Sequence, residues 1–295
     1  MAAGDSGLFA GGLLEVIESE AVIKFSEANV TMPLVTTKGY PKADQVTFIA
    51  YNTGSNKLTS ADVAATAENT VTPSTSLNTD KKTATLDMYS VMIPMYDEAK
   101  LSNADDIASN VGALVGNAMA AKADGLLNSL FDSFSNAVGA NNAALTVDNL
   151  FDALSKLKQN AAIGQPSAVL DPRQIWGTYG VHNDLVTHAQ FAGSGIQEEG
   201  ARVGFVSQIA GIGIHSSSEF TVTDNDGGSS GTASSVKGGV FVPGALGMGY
   251  AGELIRTEVY REGTYLRDNI IGSGFWGVTE IVDGWGVEVL SQVIA

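Results

Sequence analysis

The chain has 295 residues, 44% of them hydrophobic and only 16% charged, which suits a globular protein with much buried surface and excludes a disordered one. Its 32 acidic against 16 basic residues give a formal charge of -16, so it lacks the clustered Lys and Arg that neutralise nucleic-acid phosphates. It has no cysteine, which rules out disulfides, thiolate nucleophiles and zinc–cysteine sites, and no apolar run approaches the roughly 18 residues of a membrane span.

The first basic residue is Lys24, so the N-terminus lacks the charged start of a signal peptide, and a cytoplasm is the expected compartment. The opening stretch reads as an arm with a weak amphipathic helix carried by Leu13, Leu14, Ile17 and Ala21. DQVTFIAY (44–51) alternates as a strand, with Val46 and Phe48 on one face. TATLDMYSVMI (83–93) alternates too, which predicts Ala84, Leu86, Met88 and Met92 on one face and an end at Pro94. The residues between these strands, 52–82, are rich in Thr, Ser, Asn and Ala. So long a loop inside a compact domain marks a functional or partner-binding element.

A long helix follows over 102–136. Ser102 or Asn103 can cap it, Asp105 and Asp106 suit its positive end, and Ile107, Val111, Leu114, Val115 and Ala118 begin an apolar stripe continued by Leu126, Leu127, Leu130, Phe131 and Phe134. Ala108, Gly112, Gly116 and Ala120 recur every four residues. Interior glycine costs a helix about 1 kcal/mol, so a sheet or a neighbouring helix is expected close against that ridge. Gly116→Leu should then block folding or assembly while Gly116→Ala is tolerated, and Asp105, Asp106, Lys122 and Asp124 argue for a soluble helix rather than a membrane one.

The helix at 147–159 has Thr146 as cap, Leu150, Leu154 and Leu157 on one face, and Lys156 and Lys158 in its last turn. SAVLD (167–171) is a buried strand, after which Asp171 caps a new helix with Pro172 at its first position. Strands are predicted at 203–207, 211–216 and 238–242, which makes 146–250 an α/β unit. From 253 onward the pattern is almost wholly β.

Motifs for chemistry are weak. GSGFWG (272–277) matches the glycine spacing of a dinucleotide loop, but VTEIVDGWGVEVL follows it as a strand pattern with no helix to hold a pyrophosphate. The glycines are read as a bend between strands, and no cofactor is expected. DNDGG (224–228) fails the spacing of a calcium loop. His182 (read in a loop), His188 and His215 make no H-x-x-x-H pair, and GSG at 193–195 is no nucleophile elbow. The adjacent pairs Asp97–Glu98 and Glu198–Glu199 do not converge on one face. No catalytic, cofactor or metal residue is singled out.

The order of the pieces carries more: PMYDEAKLSNADDI leading into the long helix, LTVDNLFDALSKLKQN, PSAVLDPRQIW, VGFVSQIAGIGIHSSSEF, VPGALGMGYA, and a close on IRTEVYREGTYLRDNIIGSGFWGVTEIVDGWGVEVL. Across nearly the whole chain this resembles the major capsid proteins of tailed double-stranded-DNA bacteriophages with the Hong Kong 97-type fold. The resemblance implies an α+β chain with an N-terminal arm (1–43), an extended loop lying across a neighbouring subunit (44–93), a peripheral domain with a spine helix (94–145), an axial domain (146–250) and C-terminal strands returning to the peripheral domain (251–295). It implies a structural, non-enzymatic protein of the virion, assembled in the host cytoplasm through pentamers and hexamers. Partners are copies of itself, a portal and a separate scaffold protein, with DNA enclosed without specific binding and no membrane. Candidate subunit contacts are Lys57, Lys81, Lys82, Gly112 and Gly116. A bacterial encapsulin shares the fold and is the alternative; a nucleotide-dependent oxidoreductase is the alternative of another class, which the failed glycine fingerprint disfavours.

Overall fold

The structure is a computed structural model that describes residues 6–51, 79–98, 107–187, 208–209, 211–224 and 234–293. In chain order these form α1 (Ser6–Ala28), a 3-10 turn (Met32–Leu34), β1 (Thr36–Tyr40), β2 (Gln45–Tyr51), β3 (Thr79–Thr85), β4 (Asp87–Tyr96), α2 (Ile107–Asn128) with a 3-10 turn after it (Ser129–Ser133), and β5 (Ala137–Gly139). There follow α3 (Val147–Gln159), β6 (Ser167–Leu170), α4 (Pro172–Trp176), α5 (Val181–Thr187), β7 (Gln208–Ile209), β8 (Ile212–Ser216), β9 (Val222–Asp224), β10 (Ser234–Phe241), β11 (Leu246–Ala251), β12 (Arg256–Glu262), β13 (Arg267–Glu280) and β14 (Gly286–Val293). The predicted strand at 203–207 and the caps at Ser102 and Asn103 lie outside the described residues, as do Lys57, His188 and Glu198–Glu199.

One sheet has the order β1-β11-β13-β12, with β4 also pairing β13. Side chains alternate across it, so its two faces can be read from β13. Ile270, Trp276 and Val278 point to the core beneath α1 and α2, whereas Phe275 joins a second cluster with Val46, Phe48, Ala84 and Leu86. The antiparallel β2–β3 pair therefore lies on the face opposite the helices, as a third layer.

The small-residue ridge of α2 is filled by α1. A Cβ on Gly112 would stand 2.7 Å from the carbonyl oxygen of Ile17, and one on Gly116 would press still closer on that of Ala21. Successive glycines meet successive turns, so the two helices run parallel, and Ile17, Ala21 and Phe25 are buried along the seam. The close contact at Gly112 and Gly116 is made within the chain, by its own first helix. The arm is correspondingly a 23-residue helix packed on the body. Leu114, expected in the apolar stripe, is exposed.

Asp124 is buried, and its carboxylate accepts the backbone N–H groups of Val30 and Thr31, each at 2.9 Å, where the chain leaves α1. Thr31 Oγ1 donates to Asn128 Oδ1 at 2.9 Å, and Asn128 Nδ2 donates to Ser217 Oγ and the Glu219 carbonyl, so one polar chain ties α1, α2 and the end of β8 together. Asp124→Ala would strand two buried donors at about 1–3 kcal/mol each, and we expect a loss of roughly 2–5 kcal/mol in a chemical-denaturation curve. Burial raises the Asp124 carboxyl above the usual carboxylate range, against the pull of its backbone donors. The native state thus holds the proton more tightly than the unfolded chain. That contribution to stability is complete below the unfolded value and is lost as pH rises through the raised native one. Any advantage of the parent over Asp124→Asn in melting temperature should shrink from acid towards neutral pH; a constant difference would contradict this.

The second sheet has the order β5-β14-β10-β6-β8-β7, with β9 also on β10. Here the sequence signals hold. Thr146 Oγ1 accepts from Asn149 N at the start of α3, and Leu150 and Leu157 are buried. Asp171 and Gln174 form a capping box around Pro172. Gln174 is fully buried and satisfied: its Nε2 donates to Val236 O and Ser291 Oγ while its Oε1 accepts from Asp171 N. Phe131 and Phe134, after α2, press into this sheet where Gly239 and Gly286 leave room for their rings.

Having passed from the first sheet to the second between β4 and β5, the chain changes sheets twice more, at adjacent places. It leaves β10 for β11 across Val242–Ala245 and leaves β13 for β14 across residues 281–285; Ile281 N donates to Ala245 O and Val242 N to Trp285 O. Strand Leu246–Ala251 thus belongs to the first sheet, and the last strand returns to the second.

Candidate assembly surface

The β2–β3 pair follows directly from the alternation at its start: Val46, Phe48 and Ala50 are buried. The outward row pairs Thr47 with Thr83, Ile49 with Lys81 and Tyr51 with Thr79. Lys81 and Lys82 therefore stand on a paired strand rather than in an open loop, and on opposite faces. Lys81 is exposed beside the half-exposed Ile49, whereas Lys82, opposite Phe48, favours ionisation of Glu280. Burial raises the Glu280 carboxyl, with Asp283 adding to it; the Ser133 hydroxyl, donating at 3.1 Å, and Lys82 oppose the rise.

The first sheet's outer face was misassigned at β4. Ala84 and Leu86 are buried as expected, but Met88 is 71% and Met92 54% exposed. The strand breaks at Leu86, whose N–H donates to Asp44 O, and the break shifts the alternation so that Tyr89, Val91, Ile93 and Met95 face the helices. Pro94 does not end the strand. It pairs with Asn269 on an edge strand, where its missing N–H leaves no ladder bond unmade. Across the same outer face stand Phe275, Ile271 and Tyr260, beside Met88, Met92 and Pro94 in register.

At the β12–β13 end a rigid tip is built. Arg261 donates to both carboxylate oxygens of Asp97 at 2.6 Å and to Asp268 at 3.1 Å, bonds that raise the guanidinium pKa. Arg267 is bonded to Glu262 and lies over the rings of Tyr265 and Tyr96. Leu266 sits in the left-handed region with φ 49°, unusual for a leucine, and points its side chain to solvent. Tyr96, Tyr260, Tyr265 and Leu266 are all exposed there. No spacing rule marks such a tip; only the Tyr and Arg content of YREGTYLR hinted at it.

GSGFWG is not a bend. It lies inside the 14-residue strand β13, and its glycines thin the sheet: Gly272 admits Val115 of α2, Gly274 the ring of Trp276, and Gly277 the backbone of Thr85. A 3-10 turn and strand β14 follow, not a helix. His182 is on α5 rather than in a loop, and His215 is half-buried on β8, where burial lowers its pKa. Among the described residues no group of three or more His, Asp or Glu side chains is placed to hold a metal ion. The open groove of about 490 Å³ is lined by Met88, Glu253, Arg256, Ser273 and Phe275, and the Ser273 hydroxyl donates to Arg256 O at 3.4 Å.

No family model matches the chain. No curated protein matches it in sequence either. Solved structures do match. The capsid of Ralstonia phage GP4 superposes with a TM-score of 0.65 at 11% identity, over 89% of this chain and 88% of that one. The capsid of the cyanophage P-SCSP1u gives 0.63 at 17% identity, over 90% and 88%. A virus-like particle from Pyrococcus furiosus gives 0.55 at 11%, over 94% and 98%. With both sheets, the parallel helix pair and the β2–β3 layer in one chain, and such likeness running nearly end to end, the protein has the Hong Kong 97-type capsid fold.

Proposed function

We propose that this chain is the major shell protein of a tailed double-stranded-DNA bacteriophage. Copies assemble through pentamers and hexamers into a closed icosahedral shell in the virion, formed in the host cytoplasm with a portal and a separate scaffold protein. The observation that carries the reading is end-to-end likeness to capsid chains at 88–90% coverage of both partners. The first sheet with α1 and α2 acts as the peripheral domain, the second sheet with α3 to α5 as the axial domain, and the β2–β3 pair as the base of the loop that reaches a neighbour. The outward row of Ile49, Tyr51 and Lys81, the Met88–Met92 face and the tyrosine tip supply contact surface rich in Tyr, Met and Arg, types enriched at interfaces. The chain performs no catalysis, and its charge of -16 suits a wall that encloses DNA without gripping it.

Light scattering on the purified protein, alone and with its scaffold, should give a species far larger than the 30.5 kDa chain. A monodisperse monomer under both conditions would overturn the proposal. The contents of purified particles separate the two shell readings: DNA supports the virion, and a packaged enzyme supports the encapsulin alternative.

A further inference from the structure

The β2–β3 pair rests on its sheet at points where the sheet itself contributes no side chain. Gly249 and Gly277 are cross-strand partners in register. A Cβ on Gly249 would stand 2.6 Å from Cβ of Val46, and one on Gly277 would overlap the carbonyl oxygen of Thr85. Next along β11, a Cβ on Gly247 would stand 2.9 Å from the ring of Phe48. None of these three glycines has a positive φ, so close approach rather than turn geometry accounts for them. Val46 and Phe48 are all but fully buried on this seat, clasped from the side by Ile281 and Val282. On the other strand only Leu86 separates β3 from β4, which is locked into the sheet by ten register pairs with β13. The pair is thus seated on the body along its length through Val46, Phe48 and Ala50, and the seat fixes its direction.

We infer that Gly249 and Gly277 are positioning residues for assembly: the glycine pair sets the direction in which the β2–β3 hairpin leaves the subunit, and so whether neighbouring copies close into a shell. The inference rests on the shell reading above. Its physical basis is lever geometry. Seven paired residues span about 23 Å at roughly 3.3 Å each, so a tilt of about 10° at the base moves the far end by about 4 Å, more than a close-packed contact absorbs.

The test uses the full chain, which has no native cysteine. Spin labels on Lys81→Cys and Ser129→Cys, both exposed positions, report the distance from hairpin to body. The labelled parent and the labelled control Gly125→Ala, where a Cβ would meet only Glu219 Cβ at 4.0 Å, should share one narrow distance distribution, and the same two proteins without the label cysteines should form closed particles by electron microscopy. Gly249→Ala and Gly277→Ala should keep cooperative unfolding, shift or broaden that distribution, and lose closed particles. If either unfolds, Gly247→Ala replaces it, because its Cβ meets only movable ring and methyl atoms. An unchanged distribution overturns the inference, and so does a shifted one with particles of parental size. If the parent forms no particle at all, the shell reading fails and the assembly claim with it, while the distances still show whether the glycines set the hairpin's direction.

Discussion

A chain carrying Gly116→Leu is expected not to fold. The added side chain would enter the seam between α1 and α2, where even a Cβ collides with the Ala21 carbonyl oxygen and lies 3.0 Å from Cβ of Lys24. Overpacking costs about 1–3 kcal/mol where side chains can move aside. Here the obstacle is backbone of a packed helix, so the cost lies at the top of that range or above it. Gly116→Ala reverses the expectation drawn from helix propensity. Alanine gains about 1 kcal/mol in an isolated helix, but this Cβ must separate two helices joined again about two turns further on by Asp124. We predict that the Ala variant melts below the parent and that the Leu variant gives no cooperative transition by circular dichroism. A Leu variant melting at the parental temperature would mean that the helices are not in contact.

The second large effect is expected from Trp276→Ala. Trp276 is fully buried, stacks on Tyr89 at 5.7 Å, meets Phe25 of α1 at 5.8 Å and donates its indole N–H to Leu254 O at 2.7 Å. It joins α1, β4 and β13 in one contact set. Removing a large buried aromatic costs about 3–5 kcal/mol, and the Leu254 carbonyl loses its donor as well. Trp276→Phe keeps most of the volume and loses the hydrogen bond, so it should fall between parent and Ala. Denaturant midpoints for the three proteins check the order; an Ala variant within about 1 kcal/mol of the parent would place Trp276 outside the core.

These sites show what could be read in advance. The caps at Thr146 and Asp171 and the alternation of Val46, Phe48 and Ala50 were legible because local chemistry determines them. Spacing also announced that something lies close to Gly112 and Gly116, but not that α1 does, since a ridge names no partner. The errors share a cause. Met88 and Met92 were placed inward because one unpaired residue, Leu86, inverts the alternation, and periodicity carries no marker for such a break. GSGFWG was read as a bend because a glycine needed for close approach looks in sequence like one needed for a turn. The burial of Asp124 is not legible in the sequence, because nothing local tells a buried acceptor from an exposed charge. The return of β14 to the second sheet depends on pairing with β10, residues far away in the chain. The candidate surface was the least legible, since exposed Tyr, Met and Leu look like core residues in a sequence.

The central claim is that this chain builds a closed shell from copies of itself. Negative-stain electron microscopy of the purified protein, alone and with the proposed scaffold protein, tests it most directly. The account predicts closed particles of uniform size, accompanied by rings of five or six subunits. Fields containing only isolated subunits under both conditions, from protein that unfolds cooperatively, would contradict it.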